Sequence, residues 1–362
     1  MNKIVKIVAL CLCAASAFAL SACRGCNSTT SYKATTTPNW LIRTSSADEL
    51  DASSPLLTYA EQSTYLITHS GAANGTYSFE YGEGVYKTKF YAQLFNWSTD
   101  TIGEYAEDDL REYVYVYETT LTLPVTVVVG DERSEQFVNE ISTVSYFASA
   151  ANNLRPVYSK QDIKSVTPNV LQASSLSGSY VEMDCIYETH YSQDGRNATT
   201  SVTYRSGGED STSTASTASE YTVIDSSALA IALRSLTQSG TPTFDVYVGV
   251  NGSSARYQAA WGSAYTLDRE DASLTSVISA LDDASDDGYL LTGLTDGVRQ
   301  YSVKPVVVSL VSSMAGPSTT YHVASVTNTD MNAGRAVIVR MEETVHFNLG
   351  TLTYDLQSLT LV

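Results

Sequence analysis

Residues 113–129 read Tyr113-Val-Tyr-Val-Tyr-Glu-Thr-Thr-Leu-Thr-Leu-Pro-Val-Thr-Val-Val-Val129. Tyr113, Tyr115 and Tyr117 share one parity with Leu121, Leu123, Val125, Val127 and Val129. Side chains of a strand alternate between its faces, so this spacing places tyrosines and aliphatics together on one face. At ~3.3–3.4 Å per residue such a strand runs over ~50 Å. Pro124 lacks the amide donor of a ladder, so an edge, a bulge or a break is expected there. Gly130-Asp131-Glu132-Arg133 reads as a turn and Glu135–Phe147 as the returning strand.

The same alternation recurs on both sides of this stretch. In Tyr180–Tyr191, Val181, Met183, Cys185, Tyr187, Thr189 and Tyr191 form one face, while Glu182, Asp184, Glu188 and His190 fall on the other. That is a half-buried strand. Asp194-Gly195 is a hairpin signal before the return over Ala198–Tyr204. Further strands are expected at Thr76–Tyr81, Val85–Trp97, Phe244–Val250, Ala255–Trp261, Tyr301–Val311, Thr319–Val326, Ala336–Phe347 and Leu352–Leu361. Helices are expected at Ser45–Leu57, at Ala228–Gln238 after the capping run Asp225-Ser-Ser, and at Ser273–Ala284. Short turns join most neighbouring strands, which dictates antiparallel pairing. The expected fold is mainly β with two or three helices, in the α+β class. It is a long antiparallel, strongly twisted sheet or open half-barrel with helices packed on one side. Residues 206–220, rich in Ser, Thr and Gly, read as a long loop or a domain split.

The amino-terminal end carries a different message. Lys3 and Lys6 precede an apolar run from Ile7 to Leu20, the charged start and apolar middle of an export signal. The run is short for a hydrocarbon core of ~30 Å, which takes about 20 residues. It ends Leu20-Ser21-Ala22-Cys23. This resembles the lipobox of bacterial lipoproteins, a branched residue and two small ones before cysteine. The resemblance implies cleavage before Cys23, lipid on its sulfur, and residence in the bacterial cell envelope. Arg24, where an Asp would favour inner-membrane retention, implies the outer membrane in a two-membraned cell and otherwise the outer face of the cell membrane. The expected organisation is a signal peptide over 1–22, a lipidated tether over 23–39 and a strand-rich extracytoplasmic domain over 40–362.

The formal net charge is −18, and loss of 1–22 removes two lysines and no acid. Such a body repels nucleic acid and anionic headgroups, so the lipid on Cys23 is expected to be the membrane contact. Of the cysteines, Cys23, Cys26 and Cys185 survive cleavage; Cys185 sits on a face expected to be buried and reads as a structural thiol, with a Cys26 pairing left open.

Three side-chain groups invite a functional reading. Asp283, Ser285 and Asp287, with Gly288, match positions 1, 3, 5 and 6 of a calcium loop and resemble half of an EF-hand or dockerin loop, although Leu294 stands at the acidic twelfth place. A solvated acidic turn fits them too. Glu104, Glu107, Asp108, Asp109 and Glu112 form a second acidic group, read as a solvated surface. Tyr113, Tyr115 and Tyr117 offer a ladder for a sugar or an apolar ligand, or else cover a core. His69, His190, His322 and His346 show no zinc spacing, and no nucleophile motif or phosphate loop occurs.

Long antiparallel strands, two helices and a tether resemble the LolA/LolB-like carrier folds, in which a curved sheet clasps helices over an apolar cavity. The resemblance implies a non-enzymatic binding or lipid-carrier module, with an apolar ligand as partner. Adhesion to a glycan or an envelope protein is the alternative. A carboxylate hydrolase ranks below both, because Glu342 and Glu343, as strand neighbours, point to opposite faces. Cys23→Ala is expected to leave the chain uncleaved or released; fractionation that still recovers all of it in membranes contradicts the anchor.

Overall fold

The computed structural model describes residues 32–33, 61–71, 77–102, 110–148, 154–169, 175–205, 207–236, 238–286, 294–295, 298–311, 318–326, 335–345, 347 and 349–361. Cys23, Cys26, the helix expected over 45–57, the acids at 104–109, Asp287 and His346 lie outside the described residues. Of the stretch expected as a tether, Tyr32–Lys33 is described, as a short strand parallel to Pro242–Thr243.

The amino-terminal half of the sheet is built from β1 (Glu61–Gly71), β2 (Tyr77–Tyr81), β3 (Gly84–Asn96), β4 (Arg111–Val129) and β5 (Phe137–Ala148). It continues through β6 (Pro156–Pro168), β7 (Tyr180–Tyr191), β8 (Asn197–Tyr204) and β9 (Ser211–Ser216). Then come β10 (Val223–Asp225), α1 (Leu229–Leu233), β11 (Pro242–Val248), β12 (Ser253–Trp261) and α2 (Thr275–Asp286). The chain ends with β13 (Ser302–Leu310), β14 (Thr319–Val326), β15 (Arg335–Thr344) and β16 (Gly350–Leu361).

One path of antiparallel ladders runs β9-β8-β7-β6-β5-β4-β3-β1-β16-β15-β14-β13-β12-β11. β10 then adds in parallel to β11. β1 is the centre of this path, with β3 on one side and the last strand, β16, on the other. The sheet curls until its flanks meet through side chains. Tyr191 of β7 packs edge-on against Tyr247 of β11 at 5.6 Å, and the Tyr247 hydroxyl lies 3.1 Å from Thr200 Oγ1 of β8. The expectation of a twisted antiparallel sheet closing into an open half-barrel is met, and the fold is barrel-like.

β4 shows how the long stretch is accommodated. Its face of Tyr117, Leu121, Leu123, Val125 and Val127 is buried in the main core. Pro124 sits where the neighbouring strand changes: β3 pairs with β4 up to Thr122, and β2 takes over from Val125. The break expected at Pro124 is thus in the partner strands, at Gly82–Glu83, and β4 runs on. Gly84 opens β3 there, because a β-carbon would lie 2.8 Å from the Thr122 carbonyl oxygen and 2.7 Å from Leu123 Cδ1.

Two expectations are corrected. Residues 211–216, within the run read as a loop or domain split, form the strand β9 in register with β8. Its side chains are almost all exposed, so backbone pairing does most of the holding, and no apolar period marks it. The helix expected over Ala228–Gln238 is a 3-10 turn (Ser226–Ala228) followed by the five-residue α1. Its cap is as expected, with Asp225 accepting from the Ser227 amide at 2.8 Å. Leu229, Ile231, Ala232 and Leu233 are buried, so the segment is apolar nearly all round, as an interior helix must be.

The segment ends in a buried ion pair. Arg234 donates Nη1 to Glu61 Oε1 at 2.5 Å and Nη2 to Glu61 Oε2 at 2.8 Å, with 2 % and 9 % of the two side chains exposed. The Arg234 guanidinium also lies 5.9 Å from the Phe90 ring centroid. α2, by contrast, packs along β16, where Gln357 donates to Ser276 Oγ at 3.0 Å.

Arg234→Met leaves Glu61 buried without its counter-charge and is expected to cost about 3–5 kcal/mol of unfolding free energy. Glu61→Leu with Arg234→Met should recover most of it. Urea denaturation measures both, and equal losses would show that the charge pairing is not the cause.

Candidate ligand-binding cavity

A cavity of about 110 Å³ lies between the interior segment and the concave face of the sheet. Ser226, Ser227, Leu229 and Ala230 form one side. Tyr86 of β3, Thr119 and Leu121 of β4, and Ile141 and Thr143 of β5 form a second. Val308 of β13, Thr319 and Tyr321 of β14, Met341 and Glu343 of β15, and Tyr354 of β16 complete it.

Strand alternation places each of these. On β15, Met341 and Glu343 turn inward, while Glu342 turns out and pairs with His322 at 3.6 Å. The opposite facing expected for Glu342 and Glu343 is observed. Thr119 and Thr143 are cross-strand partners on β4 and β5, and their hydroxyls meet at 2.6 Å. The wall between them and β16 is aromatic: the Tyr86 and Tyr354 rings lie 5.8 Å apart at 82°, and the Tyr86 hydroxyl is 3.3 Å from that of Tyr117.

Glu343 is the acid among the lining residues. Tyr354 donates its hydroxyl to Glu343 Oε2 at 3.1 Å, and no cationic side chain among the described residues pairs with it. Burial pushes the Glu343 carboxyl up to about 7, and the Tyr354 hydrogen bond offsets only part of that. Burial holds the Tyr321 and Tyr354 hydroxyls well above the ordinary phenol range, so both stay protonated near neutrality.

The other interior acid sites are saturated. Asp225 accepts from the Ser227 amide and from Ser159 Oγ, both at 2.8 Å, as well as from the hydroxyls of Tyr191 and Ser227. Glu61 is engaged by Arg234.

The residues singled out from sequence lie elsewhere. Tyr115 packs against Phe90 at 5.4 Å and Phe147 at 5.7 Å, and Tyr117 is buried in the core. Tyr113 is half-buried. Of the ladder read as a ligand platform or a core cover, Tyr117 lies in the core and Tyr115 packs against it, as the core-covering alternative has it. Asp283 and Ser285 fall within α2, which runs on through Asp286. Ser285 is buried, donates to the Leu281 carbonyl at 2.7 Å and lies 3.2 Å from the Tyr301 hydroxyl. A helix in place of a loop points Asp283 and Ser285 in different directions, so the calcium reading is corrected for the described residues. Among those residues no three His, Cys, Asp or Glu side chains converge on a metal position. Glu112 is bound by Arg155 at 2.6 Å. Cys185 is buried and free, and burial pushes its thiol up to about 11.

Tyr86, Tyr321 and Tyr354 were not singled out from sequence, and Glu343 was weighed there only as half of a hydrolase pair with Glu342. Glu343 did carry a signal, since it falls on one strand face between Met341 and Val345, both buried. The tyrosines carried none, because only the curled sheet brings β3, β14 and β16 together.

No protein-family model matches the chain, and no curated protein matches it. Among solved structures the chain is similar to a beta-barrel-like protein of the domain of unknown function DUF1849 from Brucella abortus. The TM-score is 0.43 at 8 % identity, covering 84 % of this chain and 98 % of that one.

In the unfolded chain Glu343 titrates near its ordinary 4.5, and in the fold near 7. Between those values the unfolded chain has released a proton that the fold retains, so stability falls as pH rises through this window. The wild type should lose stability relative to Glu343→Gln between pH 5 and 8, on the order of 3 kcal/mol at most. Denaturant titrations at both pH values measure this, and a pH-independent difference contradicts the burial of an ionisable carboxyl.

Proposed function

We propose that the protein is a lipid-anchored, extracytoplasmic binding module of the bacterial envelope that holds a small ligand between the interior segment and the Glu343 wall. The observation that carries this reading is the cavity itself, in which one acid is left without a cation while the other interior acids are saturated. A half-buried carboxyl with no counter-charge is costly to ionise, which favours a site that a cation completes. The architecture agrees with a carrier-like arrangement of curved sheet and interior helix. The volume selects among cargoes. Pockets for drug-sized molecules span roughly 300–1,000 Å³, so this one suits only a few heavy atoms. A long acyl chain requires the interior segment to leave, which breaks the Arg234–Glu61 pair.

The reading is non-enzymatic: glycoside hydrolysis, the carboxylate chemistry weighed from sequence, takes a pair, and Glu343 is the carboxyl that lines the cavity. The adhesion alternative loses its tyrosine platform to the core.

Ala230 lines the cavity beside Leu229. Ala230→Met is expected to fill the space, keep or raise the melting temperature, and abolish binding of small fragments seen with the wild type by saturation-transfer NMR. Fragments that bind both proteins equally contradict this site.

A further inference from the structure

The cavity's chemistry narrows the class of ligand. Resting on the binding-module reading above, we propose that it takes a small organic cation, a compact alkylammonium, with its charge against Glu343 and its substituents against the rings of Tyr86, Tyr321 and Tyr354.

Glu343 offers a carboxylate whose sole hydrogen bond among the described residues comes from Tyr354. Interior cations are committed elsewhere: Arg234 binds Glu61 through both terminal nitrogens, and Arg340, on the strand of Glu343, pairs with Asp355. A cation that enters supplies what the fold omits. An anion meets the reverse: it would face the Glu343 carboxyl with no cationic side chain in the lining to offset it.

Three tyrosines from three strands line one small space with a carboxylate, and two of the rings stand edge to face. Aromatic faces attract cations through the ring quadrupole, most strongly where water is excluded, and quaternary ammonium groups are bound in such cages. Alkylammonium ions suit the site better than metal ions, because a hard divalent cation takes six or more oxygen ligands. The rest of the wall includes Leu121, Leu229, Val308 and Met341, which receive methyl groups and offer no oxygen.

About 110 Å³ admits a cation of a few heavy atoms and no long chain. The net charge of −18 raises the local concentration of any cation near the body. Burial raises Glu343 to about 7, and a bound cation restores its ionised form, so binding below pH 7 releases a proton. The titratable groups facing it, Tyr354 and Tyr321, remain neutral there.

The test is isothermal titration of the full-length chain, as produced in its host and held in non-ionic detergent, with tetramethylammonium, choline and 3,3-dimethylbutan-1-ol. The last is choline with carbon in place of the charged nitrogen. The expected result is saturable binding of both cations, with the neutral isostere weaker by about tenfold or more. Glu343→Gln should weaken choline about tenfold and leave the isostere unchanged, and Tyr321→Leu should weaken both cations. Equal binding of choline and its isostere, both lost in Ala230→Met, overturns the cation proposal while the cavity stands as a binding site. No binding of either cation, with neutral fragments still lost in Ala230→Met, does the same. If nothing binds in the cavity, the binding-module reading fails as well.

Discussion

The buried pair of Arg234 and Glu61 ties the sheet to what it encloses. Glu61 opens β1, the strand on which the two halves of the sheet meet, and Arg234 ends the interior segment. Taking two charges out of water costs several kcal/mol per ion, and only excellent geometry repays it. Here the geometry is bidentate, with the guanidinium beside Phe90 as a further contact. The pair fixes how far the segment sits above the concave face, and that distance sets the cavity. Without it, Leu229–Leu233 is a single turn and a half of helix with little to hold its register.

A second anchor sits at the other end of the segment. Asp225 gathers Ser159 from β6, Tyr191 from β7 and the amide of its own helical turn. Polar groups thus pin both ends, while apolar side chains fill the space between. Against this background Glu343 stands out by what it lacks. It shares the interior with Glu61 and Asp225, yet its partner is one phenol. Structural necessity accounts for the first two acids. For the third we propose ligand recognition, with the tyrosines around it setting the kind of ligand.

Much of the fold was readable from residue order. Alternation in Tyr113–Val129 and Tyr180–Tyr191 marked two strands and their buried faces, and Gly130 and Gly195, both at positive φ, marked turns. Readability stopped where alternation stopped. Ser211–Ser216 has no apolar period because both faces of an edge strand are wet. The helix after Asp225 was overextended because Ala and Leu favour helix locally, whereas the ion pair of Arg234 with a residue 173 positions away decides where it ends. The cavity was the least readable feature, because its walls come from strands far apart in sequence. Tyr113, Tyr115 and Tyr117 attracted a functional reading through density alone, while the more scattered Tyr86, Tyr321 and Tyr354 line the site.

The central claim is that the segment after Asp225 is locked inside the curled sheet. Native-state hydrogen exchange of the Arg234, Ser235 and Leu236 amides tests it most directly. These amides donate to Ile231, Ala232 and Leu233 carbonyls at 3.0–3.2 Å. A locked segment predicts protection comparable to that of the β4 core amides between Leu121 and Val127. Exchange at the rate of an exposed loop would contradict the lock and, with it, the cavity.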